Sequence, residues 1–269
     1  MKKVITIALA IAIAISCFGF ASCGKQLTPY ETVEAALAKN AELDCLEANQ
    51  TIKMKMDMMG MSIEMPITGV MKATGIKSGN PVMYSKASTS MMGTTVDTEA
   101  YIEGDYIYLT TMGESYKAKA SSLASDYDVL KDINSMLQLP PESVFEGVEP
   151  VKNEDGTTTY SFTMSEEDYL ATYRPFFDSM SESLGVSGDE SGLKIGNVAI
   201  SLSIDKNGFV CGYDMSFNME VSVTEMGTQM DIKCDVVCEL DFVNIGGNVT
   251  ITPPEGYKDF EEVDASVIG

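Results

Sequence analysis

The chain has 269 residues, 40 acidic and 18 basic side chains, a net charge of −22, and neither histidine nor tryptophan. The missing histidine removes the commonest general base, the usual activator of Ser and Cys nucleophiles, and the commonest transition-metal ligand. The acidic balance excludes nucleic acid as a partner, because phosphate backbones are bound by clustered lysine and arginine. We therefore expect a protein that is not an enzyme and that needs no cofactor or metal.

The N-terminal residues have the layout of a bacterial lipoprotein signal. Lys2 and Lys3 precede an uncharged run over 4–20, and small residues then stand directly before Cys23. The run is too short and too early for a retained membrane span. We expect cleavage before Cys23, acylation of its thiol, and attachment to the extracytoplasmic face of the cell membrane. An ordinary secretory signal with an incidental cysteine is the alternative, and Cys17 is a weaker acylation candidate.

This interpretation divides the chain into a signal peptide, 1–22, a lipidated tether, 23–29, and a single domain, 30–269. The signal takes two lysines with it, so the remaining charge is −24. An acidic surface is repelled by anionic headgroups, so the membrane contact must come from the lipid on Cys23. Two or three acyl chains would anchor the protein stably, whereas one chain gives marginal binding.

The first predicted element is a helix. Thr28 is its expected cap, Pro29 stands at the first helical position, and Glu31 can reach back to the cap. Tyr30, Val33, Leu37 and Ala41 would share one face of it.

A period of two begins near Leu46 and predicts strands over 46–58 and 61–67, followed by short strands near 82–90, 94–103, 105–111 and 115–119. An amphipathic helix is expected over 123–137, ended by Pro140, and then a hairpin of 145–151 with 158–163. Ser165 is predicted to cap a second helix, which Pro175 should kink. Strands over 198–204, 211–223, 230–242 and 249–252 complete the pattern.

The strands of the last third are long, with one apolar and one acidic face. This pattern is typical of a large antiparallel sheet that is wet on one side. Four turns share a Met-Gly pair, at Met59, Met92, Met112 and Met226, and the glycine supplies the positive φ of a tight hairpin. The methionines are either a relic of repeated hairpins or an apolar rim along one edge.

Four cysteines remain besides Cys23. They are either buried free thiols or two disulfides, and a zinc site fits less well because Cys234 and Cys238 lie on a strand. A turn centred between residues 225 and 226 would put Cys211 opposite Leu240 and diagonal to Cys238. Cys211–Cys238 is therefore the candidate disulfide, which leaves Cys45 for Cys234. The acidic clusters at 154–155, 166–168 and 189–190 match no calcium loop, and helix capping and solvation explain them.

The methionines suggest a ligand surface, although a plain core in which Met replaces Leu explains them as well. Met is flexible and polarizable, so a Met-rich wall adapts to varied apolar ligands. The hypothesis is that one face of the long strands holds a lipid or other hydrophobic molecule beneath two helices. The predicted contacts are Met54, Met56, Leu130, Ile133, Tyr173, Phe177, Met215, Phe217, Met219, Met230 and Ile232.

A capped helix behind a lipobox, a long Met-rich antiparallel sheet and amphipathic helices between strand runs together resemble the LolA/LolB-like superfamily, which includes lipoproteins of the LppX and LprG type. The resemblance covers most of residues 30–252 as an order of elements. It implies an α+β fold in which a curved, half-barrel-like antiparallel sheet has helices over its concave face, and a hollow that holds acyl chains. No ligand or catalytic residue is carried across by it.

Two functions follow as hypotheses. The first is a membrane-anchored, non-enzymatic lipoprotein that binds a hydrophobic molecule between sheet and helices. The alternative is a structural or interaction module, with a packed core and no ligand, that presents its acidic sheet to another envelope protein. A wide hollow distinguishes the first from the second.

Overall fold

The computed structural model describes residues 27–58, 60–78, 80–91, 93–119, 138–173, 193–225 and 228–264. The predicted signal, Cys23, the predicted helix with Leu130 and Ile133, and Phe177 lie outside the described residues. Within the described part of the chain, no helix is both long and apolar enough to cross a membrane.

Helix α1 spans Pro29–Ala41 and begins as the sequence predicts. The Glu31 backbone N–H donates to Thr28 Oγ1 at 3.1 Å, and the Thr28 N–H donates to Glu31 Oε2 at 2.8 Å. These two bonds form a capping box around Pro29 and satisfy donors that no helical carbonyl can reach. The buried face differs by one position from the prediction, because Ala36 is buried while Ala41 is exposed.

Thirteen strands follow α1 in the described residues. Their bounds are β1 Cys45–Met58, β2 Met61–Thr74, β3 Val82–Met91, β4 Thr94–Glu103, β5 Tyr106–Thr111, β6 Glu114–Lys119, β7 Val151–Lys152, β8 Thr158–Met164, β9 Leu193–Ile195, β10 Val198–Ile204, β11 Val210–Glu225, β12 Thr228–Val243 and β13 Glu261–Glu262. A second helical segment, α2, covers 166–173 between β8 and β9.

All thirteen strands belong to one sheet, ordered β13-β6-β5-β4-β3-β2-β1-β12-β11-β10-β8-β7, with β9 beside the second half of β11. Every pairing is antiparallel except that of β13 with β6. The sheet curls without closing, so the protein is an α+β half-barrel with helices on its concave face, which confirms the predicted fold class.

Two predicted strands are wrong. Residues 249–252 form no strand, and the last strand is instead Glu261–Glu262, held by a hydrogen bond from the Val263 N–H to the Lys117 carbonyl at 2.9 Å. Phe145 lies in a 3₁₀ turn, Glu142–Phe145, so the first arm of the predicted hairpin is only Val151–Lys152. Pro150 lies within the predicted arm, and proline supplies no N–H to a strand ladder.

The main core lies where α1 and α2 cover β8, β10, β11 and β12. The fully buried side chains here include Val33 of α1, Met164 of β8 and Leu202 of β10. α2 is placed by its first turn, where the Asp168 N–H donates to Ser165 Oγ at 3.2 Å and Glu166 Oε1 accepts the Ile195 N–H at 2.9 Å. The helix is therefore tied to β9 at the point where its tyrosines face the sheet.

The register of β11 and β12 differs by two residues from the predicted one. Met215, rather than Tyr213, lies opposite Cys238, because Glu225 pairs with Thr228 at the end of the two strands. Cys211 is four positions from Met215, roughly 13 Å along β11, so it is too far from Cys238 for a disulfide. Cys45, Cys211, Cys234 and Cys238 are free thiols, so neither proposed pairing exists in the structure.

Candidate functional site

The concave face carries apolar side chains in rows that cross four neighbouring strands. Residues that are directly opposite in an antiparallel ladder share a face of the sheet. The three rows, each taken from β2 through β1 and β12 to β11, are Ile67-Ile52-Cys238-Met215, Met65-Met54-Val236-Phe217 and Ile63-Met56-Cys234-Met219. From strand and residue spacings, they make a patch roughly 14 Å across the strands and 13 Å along them.

Exposure rises along this face from the base of the half-barrel toward the hairpin tips. Near the base, Leu240, Phe242, Tyr213 and Ala48 are buried. In the three rows, only Val236 and Cys234 are buried, and the other ten side chains are half-buried. Beyond them, Met61 is 57% exposed. The apolar face therefore continues past the packed core, where its outer side chains keep part of their surface open to solvent.

The structure brings most of the predicted contact residues together. Met54, Met56, Met215, Phe217 and Met219 are half-buried on this face. Ile232 lies beyond them opposite Met58 and Val221, and Met230 occupies the β12 position opposite Val223. Tyr173 is buried above the sheet on α2, whereas Leu130, Ile133 and Phe177 lie outside the described residues.

Three tyrosines meet at the end of the patch nearest the core, two on α2 and Tyr213 on β11. Tyr169 and Tyr173 stand one turn apart on α2, with ring centroids 4.7 Å apart, and Tyr169 lies 6.1 Å from the Phe217 ring. The Tyr169 hydroxyl donates to Met215 Sδ at 3.2 Å, and the Tyr173 and Tyr213 hydroxyls are 3.4 Å apart. Burial raises the pKa of all three tyrosines, so each hydroxyl keeps its proton.

Sequence reasoning missed Tyr169, Tyr213 and the β2 residues Ile63 and Met65 as members of this surface. The alternation of β2 was the available signal for Ile63 and Met65, since it continues the pattern of β1. Tyr169 could have been grouped with Tyr173 from their i, i+4 spacing. Tyr213 had no local signal, because its importance comes from α2 packing over β11.

The opposite face of the same strands is polar. Lys53 Nζ lies 3.4 Å from Glu239 Oε1, and Lys72 Nζ lies 3.0 Å from Glu47 Oε1. Asp214 lies opposite Glu239, and its pKa is raised by burial and by the neighbouring charges of Asp241 and Glu239. This face is the wet side that the sequence pattern predicts.

Four strand pairs have ends at the same end of the half-barrel. These pairs are β1 with β2, β3 with β4, β5 with β6 and β11 with β12, and the registers place Met61, Thr94, Glu114 and Thr228 at one edge of the sheet. Met112 is 79% exposed and has φ of +52°. The open part of the concave patch faces this end.

Among the described residues, no three His, Cys, Asp or Glu side chains are grouped so that they could hold a metal ion. The thiols of buried Cys234 and half-buried Cys238 belong to the apolar rows, and desolvation raises the pKa of both. A raised pKa keeps a thiol protonated and poorly nucleophilic.

Fold and site together define an α+β half-barrel protein with an open, Met-rich apolar concave face. The chain belongs to the family of unknown function DUF6612, which matches residues 28–259. No curated protein matches the chain.

Solved structures with similarity to the chain include LprF from Mycobacterium bovis, with 16% identity, a TM-score of 0.44, and coverage of 84% of this chain and 97% of LprF. A DUF1329 family protein from Desulfovibrio piger has 9% identity and a TM-score of 0.26, covering 84% and 96%. The ywiB protein from Bacillus subtilis has 9% identity and a TM-score of 0.19, covering 79% and 99%.

Proposed function

We propose that this protein is a non-enzymatic lipoprotein, anchored through Cys23 at the extracytoplasmic face of the cell membrane, that binds a lipid or other hydrophobic molecule. The ligand lies on the concave face of the half-barrel against the rows of β2, β1, β12 and β11. Tyr169 and Tyr173 of α2 cover it at the end nearest the core.

The observation that carries this proposal is the apolar patch that continues beyond the core. Ten half-buried side chains in three aligned rows leave apolar area in contact with water. Covering such area is favourable by about 25 cal/mol per Å². A contiguous, partly exposed apolar surface on a concave face is where a hydrophobic ligand can be bound.

The composition of the rows supports an adaptable ligand surface. Met54, Met56, Met65, Met215 and Met219 supply five thioether side chains to twelve positions. Methionine specifies a unique packed core poorly, because it has three flexible torsions and no branching. The same flexibility lets a wall fit chains of different length or branching.

The anchor follows from the sequence around Cys23 and from where α1 begins. Only five residues separate Cys23 from Pro29, so the half-barrel would stand close to the bilayer. At most about 20 Å of extended chain lies between them. A molecule extracted from the outer leaflet would then have a short path to the concave face.

The test uses residues 23–269 with Cys23→Ser, which contain every described element. The purified protein is extracted with organic solvent for mass spectrometry and is then titrated with diphenylhexatriene, a neutral hydrocarbon probe. We expect co-purified lipid and a saturable rise in fluorescence. Absence of both would reject the ligand and favour an interaction module of the cell envelope with no ligand.

A further inference from the structure

The tyrosine hydroxyls of α2 and β11 form a polar cluster inside an otherwise apolar surface. Tyr169, Tyr173 and Tyr213 are only 3%, 4% and 6% exposed. Met215 Sδ lies 3.2 Å from the Tyr169 oxygen and 3.7 Å from the Tyr213 oxygen, and the Tyr173 oxygen lies 3.4 Å from that of Tyr213. Leu or Phe would fill the same space without burying hydroxyl groups, so the hydroxyls themselves need an explanation.

The hydrogen bonds within the cluster are poorer than a tyrosine can make. A thioether sulfur is a weak acceptor, and the 3.4 Å between the Tyr173 and Tyr213 oxygens exceeds the usual 2.7–2.8 Å for O–H···O bonds. A carbonyl oxygen brought to Tyr173 and Tyr213 would accept a shorter and stronger bond. The cluster therefore has donor capacity that an incoming acceptor can use.

Among the described residues, no charged side chain contributes to this cluster. Burial is the largest cause of the raised pKa of each tyrosine, and no basic side chain figures among the causes for these three groups in the described chain. The hydroxyls therefore act as neutral donors at physiological pH. An ionised carboxylate would lose its hydration here without a counter-charge, which costs several kcal/mol for a buried ion.

The cluster is continuous with the apolar rows. Met215 belongs to the row nearest the core, and Phe217, which lies 6.1 Å from the Tyr169 ring, belongs to the next row. A ligand whose acceptor group lies at the tyrosines would extend its hydrocarbon chain over Phe217 and Met54 toward the hairpin tips. The polar and apolar parts of the surface thus match the two parts of one amphiphile.

We propose that Tyr169, Tyr173 and Tyr213 hold the uncharged, hydrogen-bond-accepting head of the ligand, and that the ligand class is neutral acyl esters. This inference rests on the proposed function, because the tyrosines select among ligands that the apolar rows already bind. The ester carbonyl oxygen accepts from the Tyr173 and Tyr213 hydroxyls, and the acyl chain covers the rows.

The test is displacement of diphenylhexatriene from the Cys23→Ser protein by three ligands of similar chain length, namely methyl dodecanoate, dodecanoate and tridecane. The protein with all three tyrosines should bind methyl dodecanoate at least about fivefold more tightly than tridecane, which is the affinity ratio that one ordinary hydrogen bond gives. At pH 8, dodecanoate should bind more weakly than its ester. The Tyr173→Phe/Tyr213→Phe double variant should remove the ester preference, so that methyl dodecanoate and tridecane bind with equal affinity.

Tyr160→Phe is the matched control, because Tyr160 is a buried tyrosine of the same core on β8, and it should keep the preference. The double variant should also be at least as stable as wild type without ligand, since it loses only weak hydrogen bonds. An ester preference that is absent in wild type, or that survives in the double variant, overturns this inference alone. No binding of diphenylhexatriene or of any competitor overturns the proposed function and this inference together.

Discussion

Met54 of β1 lies directly opposite Val236 of β12 on the concave face, while the next residue of β12, Val237, points to the polar face and is 37% exposed. A charge placed at Met54 would therefore lie on the concave face, whereas a charge placed at Val237 would lie on the polar face at the same level of the sheet. Comparing the two variants separates the effect of a charge on ligand binding from its effect on the stability of the sheet.

Met54→Asp should abolish binding of the hydrocarbon probe. A carboxylate among Met65, Val236 and Met56 would have to be desolvated when a ligand covers the patch, and no cation stands in these rows. Val237→Asp carries the same charge into β12 on the outer face and should leave probe affinity unchanged. Equal loss in both folded variants, checked by circular dichroism, would contradict the assignment of the concave face.

Gly69→Val should destabilise the sheet by about 1–3 kcal/mol, the usual cost of overpacking. A Cβ atom at Gly69 would stand 2.9 Å from the Lys86 carbonyl oxygen of β3, and a backbone atom cannot move aside cheaply. Thr68→Val, at the exposed neighbouring position, should cost nothing comparable. Denaturant unfolding of the two variants measures the difference, and equal midpoints would show that β2 and β3 can separate at this point.

Met112→Asn should stabilise the protein by about 0.5–1 kcal/mol. Met112 and Gly113 have φ of +52° and +83°, which is the two-residue type I′ turn that prefers Asn-Gly. The left-handed backbone conformation at the first position destabilises a methionine by roughly 1 kcal/mol or more, and it destabilises an asparagine less. Met61→Asn is the control, because Met61 is also exposed but lies in a strand, and thermal unfolding should show no gain there.

The Met-Gly turns also show how much of the fold the sequence could predict. Period-two alternation and glycine turns located most strands from β1 to β12, because both signals are local. The β11–β12 register was wrong by two residues, since moving a turn centre by one residue shifts every pair by two. Treating residues 226 and 227 as a two-residue loop, like Met112 and Gly113, gives the observed pairing.

Long-range packing could not be read in the same way. The pairing of Glu261 with Tyr116 depends on residues far apart in the chain, and no local pattern marks a two-residue parallel strand. The tyrosine cluster depends on where α2 lies over β11, which the Glu166–Ile195 hydrogen bond helps to fix. For this reason, the sequence predicted the ligand contacts on the strands more completely than those on the helices above them.

Asp214→Asn should raise the melting temperature at pH 7, and the gain should shrink as the pH falls. The pKa of Asp214 is raised in the folded protein by burial and by Asp241 and Glu239. The folded state therefore binds the proton more tightly than the unfolded state, so ionisation costs stability as the pH rises through this range. Below about pH 3, under the ordinary pKa of aspartate, Asp214 is protonated in both states and the cost disappears.

Asp235→Asn provides the comparison for Asp214. Asp235 lies on the same outer face, but its strand neighbours are Asn218 and Lys55 rather than two carboxylates. Removing its charge should give no gain at pH 7. A gain of equal size in both variants would show that general charge repulsion, rather than the local carboxylate group, limits stability.

Cys23→Ser should abolish incorporation of labelled palmitate and leave the protein unprocessed or released from membranes. The thiol is the only group at this position that can take a thioether-linked lipid, and the acidic domain supplies no electrostatic attachment to anionic headgroups. Cys17→Ser is the matched control, because Cys17 lies within the apolar run and its loss should change neither label nor membrane fraction. Retention of the label in Cys23→Ser, together with its loss in Cys17→Ser, would move the cleavage site into the apolar run. Retention in both variants would reject acylation at the N-terminus. The protein would then bind its ligand without a lipid anchor.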